Sequence, residues 1–327
     1  MSELIEKLSQ ELCENDGYRT RRSPASKEKF AEFVSAFMTE RGYTGGADGN
    51  FALKKDDVNL VYGDEKTAKI ILGAHYDTSK NSATLPSFFV TNGAGIVADV
   101  FLGLFYLFLA FGVTTLLAVY AEWWIALIWF VLGCTWVGSN FYRDNKFNFN
   151  DNTSGCITLL AVADEIAKNS AELKDSVCFV FFDGEETGFH GSKRFHKKLK
   201  SSLPPDEYKK KTLLNFDCVG GRDPDFHLYV SRDDGKAVAE QIKALASEAV
   251  TIVKSPLLPT DSQAFKDIAA VTFIRTHKVL IRPLTKLDGA HTKKDNTISP
   301  AKIASVTAAA LGYIKKFAAR ENSDKIF

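Results

Sequence analysis

Net charge is nearly absent from this sequence. Lys+Arg number 41 against Asp+Glu 40, a formal charge of +1. Without a basic excess nothing neutralises a phosphate backbone, and nucleic-acid binding is set aside. Paired cysteines are missing as well. The five present, Cys13, Cys134, Cys156, Cys178 and Cys218, are scattered, odd in number and form no CxxC pair. That excludes a secreted disulfide scaffold and a structural zinc knuckle. The opening stretch MSELIEKLSQELCEND carries no apolar h-region, so no cleavable signal peptide is expected and the polar part of the chain should sit in a reducing compartment. There is no internal repeat and no low-complexity segment. What remains is 327 residues, enough for one large domain or two modest ones with a substantial core.

Two amphipathic helices are expected first, one carrying Leu4, Ile5, Leu8 and Leu12, the other starting at Ser23-Pro24 with Phe30, Phe33, Val34 and Phe37 on one stripe. A strand over Lys69–Ala74 runs into His75. Strands are expected at Val177–Phe182, Leu213–Phe216, Phe226–Val230, Val271–Ile274 and, more weakly marked, Val279–Ile281. Helices are expected at Ile157–Ala167, Gly191–Leu199, Lys236–Glu248 and Ala301–Ala319. Short apolar strands alternating with helices specify an α/β fold: a mostly parallel mixed sheet sandwiched by helices, with its chemistry at the carboxyl ends of the strands.

One segment breaks this pattern. Val100–Ala121 and Trp123–Tyr142 contain no charged residue, and only Glu122 separates them. At ~1.5 Å per residue about 20 residues cross the ~30 Å hydrocarbon layer, so each run is long enough to span it. Tyr120, Trp123 and Trp124 cluster at the turn, as an interfacial aromatic belt would. Lys80 precedes the runs and Arg143 and Lys146 follow them, while the tip has no Lys or Arg, which predicts a cytoplasmic polar domain. The expected organisation is a hydrolytic domain over 1–87 and 141–327 with an inserted transmembrane hairpin over 88–140, contacting the bilayer through 100–142. The competing reading is a soluble hairpin buried against a twin subunit in a homo-oligomer.

Five motifs stand at strand ends or helix starts: His75-Tyr76-Asp77, Asp151-Asn152-Thr153-Ser154-Gly155, Asp183-Gly184-Glu185-Glu186-Thr187-Gly188, Asn215-Phe216-Asp217 and His291-Thr292-Lys293-Lys294-Asp295. Singly, each is more often a solvated loop. Together they offer imidazole and carboxylate donors suited to zinc, and adjacent Glu185 and Glu186 can divide metal binding from proton transfer. Asp77, two residues after His75, fits a carboxylate that fixes the second ring nitrogen of a liganding imidazole.

In this order the motifs resemble the M28 family of zinc peptidases, the aminopeptidase Y-like group, over roughly residues 65–320 apart from the hairpin. Val180–Ser192 is the closest local match. The resemblance implies a zinc exopeptidase fold, of the phosphorylase/hydrolase-like kind, and two zinc ions. Asp151 would bridge them, His75 and Asp217 would complete one site, and Glu186 and His291 the other. Glu185 would be the general base and Asp77 the partner of His75. The implied activity is hydrolysis of a peptide or other amide, most simply removal of N-terminal residues. Alternatives are hydrolysis of N-acyl amino acids or lipophilic amides, a one-zinc glutaminyl-cyclase-like reaction, and a catalytically dead membrane scaffold. The hairpin departs from the family plan: it falls between the first motif and Asp151, so its two ends must meet near the site.

Other residues are given structural roles. His196 and Lys197 are expected on a solvated helix face, His227 in a strand, and Cys218 as a small buried neighbour of Asp217. His190 and His277 lack motif context, although His190, just after the Glu-Glu loop, is a minor candidate for contact with substrate. Asn152-Thr153-Ser154 matches a glycosylation acceptor but is expected to be packed beside the metals. Thr260-Asp261-Ser262 and Phe265 are weaker candidates for a pocket wall.

Overall fold

Strands that send alternate side chains into two apolar layers build the centre of the molecule. The computed structural model describes residues 1–53, 57–80, 88–89, 94–142, 144–255, 258–278, 285–287 and 289–324. In chain order the strands are β1 (Gly45–Ala47), β2 (Leu60–Tyr62), β3 (Ile70–His75), β4 (Phe88–Phe89), β5 (Val177–Phe182), β6 (Thr212–Phe216), β7 (Asp225–Val230), β8 (Val250–Lys254), β9 (Ala269–Lys278) and β10 (Thr285–Leu287). They form a mixed sheet in the order β1-β2-β5-β3-β6-β9-β10-β4, with β7 joined to β9 and β8 to β7. The central four, β5, β3, β6 and β9, are mutually parallel.

Every residue of β3, β5 and β6 is buried. Ile70, Leu72, Val177, Phe179, Phe181 and Leu214 enter the larger core, while Ile71, Cys178, Val180, Phe182 and Leu213 enter the smaller one on the opposite face. This period of two, apolar on both sides, is what a helix-covered parallel sheet requires. The larger core is closed by the helices Ser2–Glu14, Pro24–Glu40, Gly155–Asn169 and Pro300–Asp324 through Leu8, Phe30, Leu160 and Ile314. Phe195 and Leu199 of the helix His190–Ser202 close the smaller one. The helix at Pro24 starts as its sequence indicates. Ser23 accepts from Ser26 N in a capping box, with Pro24 in the first turn.

Several expected elements differ. The helix expected over 236–248 runs instead over Asp233–Lys243, and β8 follows at Val250, a strand not foreseen. The short strands β1, β2, β4 and β10 were also not expected, and a short helix, Asp16–Arg19, lies between the first two long ones. Val279–Ile281 lies outside the described residues.

The apolar segment folds as a helical hairpin. One arm is Ala94–Leu107, a wide turn at Phe108–Gly112, and Val113–Tyr120; the other is Trp123–Tyr142. Trp129 Nε1 donates to Leu109 O (2.9 Å), and Tyr106 meets Trp136 edge-on. Among the described residues one helix, Val100–Tyr120, is long and apolar enough to cross a membrane, with a mean hydropathy of 2.3. The apolar part of the second arm, Trp123–Trp136, is shorter. Of the two full spans expected, one such helix is found among the described residues.

Lys80 and Asp144 form an antiparallel bridge, and Arg22 pairs with Asp144, so the two ends of the insertion meet. One boundary moves: Phe88–Phe89, assigned to the hairpin, pairs with Lys286–Leu287 and extends the sheet.

At Gly133 the arms pack closely, and an added Cβ would fall 2.8 Å from Ala110 O. Gly133→Val should part the arms at a cost of about 1–3 kcal/mol. All four tryptophans lie in this hairpin. Acrylamide quenching of tryptophan emission should therefore rise in the variant, and an unchanged profile would show that the arms do not pack through Gly133.

Candidate metal centre

The carboxyl ends of the parallel strands deliver the motif residues to one place. His75 ends β3; Glu185 and Glu186 follow β5; Asp217 follows β6; Asp151 stands just before the helix Gly155–Asn169. His75 Nε2 lies 3.2 Å from Asp151 Oδ1 and 3.9 Å from Asp217 Oδ1. His291 Nε2 lies 3.0 Å from Asp151 Oδ2 and 3.1 Å from Glu186 Oε2. The two oxygens of Asp151 thus face two different donor sets.

Ligand atoms of His75, Asp151 and Asp217 all lie within 4.8 Å of one another, as do those of Asp151, Glu186 and His291, and those of His75, Glu185 and Glu186. Glu186 Oε1 is buried and accepts no hydrogen bond. A buried carboxylate oxygen without a donor, among imidazoles whose Nε2 atoms lie against acids, fits divalent cations bound by N and O ligands. All seven residues singled out in the sequence are brought together here.

Backbone and side-chain hydrogen bonds hold the acids in place. Asp77 Oδ1 and Oδ2 accept from the amides of Glu185 and Glu186 (both 3.2 Å), while Oδ1 lies 3.5 Å from His75 Nδ1. It therefore positions the Glu-Glu turn as well as the imidazole. The turn needs Gly184, whose φ is +69° and where a Cβ would strike the Asp57 carboxylate. Asp183 beneath it is tied to Gly184 N, Val58 N and the ammonium of Lys27. Burial, and then Asp77, lift the Asp183 carboxyl to about 6, against the pull of Lys27. Asp295 receives the amides of Asn150 (2.7 Å) and Asp151 (3.0 Å). Thr260 Oγ1 donates to Asp217 Oδ2 (2.8 Å) and accepts from Asn215 Nδ2.

Asn152 and Arg21 link one ligand loop to another. Asn152 Nδ2 donates to Phe216 O (2.8 Å) and its Oδ1 accepts from Cys218 N (3.3 Å), and the Asp151–Asn152 peptide is cis. Arg21, fully buried, donates through Nη2 to Thr153 Oγ1 (2.9 Å), through Nε to Tyr76 O and through Nη1 to Tyr18 O (2.7 Å). One guanidinium thereby ties the His75 loop to the Asp151 loop.

Charge crowding shows in the titration of the site. Burial pushes His75 and His291 downward, yet Glu185 and Glu186 respectively, with the hydrogen-bonded acids around them, hold both well above the ordinary histidine value. Burial holds the Glu185 carboxyl well above its usual range; His75 opposes this, and Glu186, Asp217 and Asp261 add to it. Asp151 is held low: burial resists, but bonds from His291 and His75 outweigh it.

The cavity over these groups measures about 490 Å³ and continues past them along Leu258, Ile274, Leu287 and Val100. Three non-glycine residues with positive φ, Phe189, Cys218 and His291, all line it. Such backbone costs about 1–3 kcal/mol per residue and gathers at functional sites.

The remaining assignments are mixed. Asn152, Thr153 and Ser154 are buried, which leaves no glycosylation acceptor. His227 is a core residue bonded to Thr276, His277 pairs with Asp223, and His190 is exposed outside the cavity. His196 is not solvated: it packs between Tyr208 and Phe265, where the helix meets the smaller core. Thr260 lines the cavity as expected, but Asp261 and Phe265 lie buried behind it. Arg21 gave no sequence signal, since nothing distinguishes it from Arg19 and Arg22 beside it.

Comparison with known proteins agrees with the geometry. Peptidase family M28 matches residues 143–314. Among solved structures the chain is similar to the Legionella pneumophila LapA aminopeptidase, with 16% identity and a TM-score of 0.61 over 96% of this chain and 70% of that one. It is also similar to the Porphyromonas gingivalis glutaminyl cyclase, with 16% identity and a TM-score of 0.63 over 97% and 98% of the chains. The Macrostomum lignano glutaminyl cyclase follows with 13% identity and a TM-score of 0.59 over 97% and 89%. These likenesses establish the fold. No curated protein sequence matches the chain.

Arg21→Met should remove donors from the Tyr76 and Tyr18 carbonyls at once and destabilise the protein by about 3 kcal/mol. Urea unfolding measures this, and a loss below about 1 kcal/mol would show that the guanidinium does not tie the loops together.

Proposed function

The chain belongs to peptidase family M28, and on that premise we propose that it is a membrane-anchored two-zinc aminopeptidase whose general base is Glu185. The observation that carries this reading is the pair of donor sets sharing Asp151: His75 and Asp217 on one side, Glu186 and His291 on the other. Five ligands exceed the three that one tetrahedral zinc with an open position needs. Two bound zinc ions would supply Lewis-acid polarisation of the scissile carbonyl and a water acidic enough to react near neutral pH.

The remaining work falls to the side chains. Glu185, on a turn fixed by Asp77 and Asp183, accepts a proton from the attacking water and delivers it to the leaving amine. Its carboxyl sits beside His75 and Glu186, where burial raises its proton affinity and so its strength as a base. Thr260 and Asp295 hold Asp217 and Asp151 so that they do not reorganise during the reaction.

A free α-amine suits a cavity rimmed by carboxylates. No Lys or Arg lines the cavity among the described residues, so the carboxylate of an N-acyl amino acid finds no ammonium or guanidinium partner there. A one-zinc cyclase shares the fold and is separated by metal count. Glu185→Gln should lower kcat by about 10²–10⁴-fold while two zinc ions per chain remain by metal analysis, and Asp217→Asn should reduce that content towards one. One zinc per wild-type chain would support the cyclase, and chelator-insensitive hydrolysis would remove the metal mechanism altogether.

The anchor is the hairpin, with the polar domain on the cytoplasmic side as Lys80, Arg143 and Lys146 indicate. Its support is that, among the described residues, nearly all the large exposed apolar side chains lie there, from Val97 to Leu132. In vesicles, lipids brominated along the acyl chain should quench tryptophan emission strongly. Emission indifferent to bromolipid, in a chain that sediments as a dimer, would favour the twin-subunit alternative.

A further inference from the structure

The catalytic cavity is chemically two-ended. At one end stand the imidazoles and carboxylates. Much of the remaining lining is hydrocarbon: Leu258, Pro259, Ile274, Ala290, Leu287 and Val100. Five of these belong to the strands and loops of the sheet domain. The sixth is the first residue of the apolar run Val100–Tyr120.

Val100 therefore belongs to two surfaces. It lines the cavity, and it is 56% exposed beside Phe101 and Leu104, which face outward from the same helix. The connection is built into the sheet. Leu287 of β10, another wall residue, stands in register with Phe88 of β4, and β4 packs against the helix that carries Val100. Val100 thus joins the apolar lining of the cavity to the outer face of the hairpin.

Resting on the aminopeptidase reading above, we infer that the substrate is an amphiphilic peptide taken from the bilayer surface, its free amine and first amide at the acids and its apolar first side chain along the Val100–Leu287 wall. A hydrocarbon chain leaving lipid along this wall stays in apolar surroundings, whereas a polar side chain there loses its water without a hydrogen-bond partner. The same wall chemistry would accept the acyl chain of an N-acyl amino acid. The absence of Lys and Arg among the described lining residues favours the free-amine substrate.

The test uses the full chain, zinc-loaded, in phosphatidylcholine vesicles. Its substrates are dipeptide amides whose first residue carries a linear alkyl side chain lengthened one methylene at a time, set beside N-acylglycines of matching chain length. For the dipeptide series kcat/KM should rise roughly three- to fourfold per methylene, the transfer value for burying one CH₂, and the N-acylglycines should be cleaved far more slowly. Val100→Asp should flatten the slope, which separates contact with the wall from partitioning into lipid. If that variant fails to fold, the rate for the longest substrate decides: it should follow mole fraction in the vesicle surface rather than bulk concentration. A flat series that still depends on Glu185 would overturn this inference and leave the aminopeptidase standing, as would a slope unchanged in Val100→Asp. Faster cleavage of the N-acylglycines would overturn the free-amine assignment. Loss of Glu185-dependent hydrolysis for every substrate would remove both readings.

Discussion

Four carboxylates, those of Asp151, Glu185, Glu186 and Asp217, share one pocket with two imidazoles, and their mutual repulsion is the constraint around which the rest of the site is arranged. Two unit charges about 4 Å apart interact by about 4 kcal/mol at an effective dielectric of 20. Several such pairs together rival the whole stability of an ordinary domain, about 5–15 kcal/mol. The upward shifts of His75, His291 and Glu185 express the same need, since protons gather where positive charge is wanted. Divalent cations would meet that need, which is why so costly a cluster argues for chemistry and not for structure. Its supports consist of groups that are not themselves candidate ligands. Asp77, Asp183 and Asp295 take up backbone amides, Thr260 braces Asp217, and Arg21 ties two loops from behind.

The clustered candidate residues were legible in the sequence because a parallel sheet places its chemistry at strand ends, and strands such as Val177–Phe182 announce themselves as unbroken apolar runs. The supports were not. Arg21 sits in a run of polar residues that reads as a solvated loop; only its contacts with segments far along the chain, at Tyr76 and Thr153, reveal a buried cation. Thr260 was suspected only as a wall, yet its hydroxyl braces Asp217. The over-extended helix at 236–248 has a tertiary cause. Glu248 is drawn out of helical register to pair with the buried guanidinium of Arg275, which lies on β9, and the strand β8 begins at once beyond it. His196 was misread for a similar reason: its neighbours in sequence are basic, but its neighbours in space are Tyr208 and Phe265.

Short strands were lost because two or three residues carry no measurable period. Two of them, β10 and β4, matter most for the relation between the site and the hairpin. They extend the sheet past β9, and β4 is the last strand in the chain before the helix that opens the apolar segment. The insertion is thus attached by hydrogen-bonded strand at one side and, at its base, by the Lys80–Asp144 bridge. Because its ends are pinned together, the ligand loops on either side approach as though the insertion were a short loop. The entropy of closing a longer connection rises only slowly with length.

The point of insertion also decides where the hairpin can lie. It interrupts the chain between His75 and Asp151, two groups whose facing atoms are 3.2 Å apart. A segment that leaves from one and returns to the other has to leave from the rim of the cavity. Had it entered the loop between β7 and β8, on the far side of β9, the same apolar helices would stand away from the acids. Here the first turn of the apolar run contributes Val100 to the cavity wall itself. If the hairpin is embedded as proposed, the position of the site at the bilayer surface follows from covalent connectivity, and the substrate's path need not be guided by any separate lipid-binding patch.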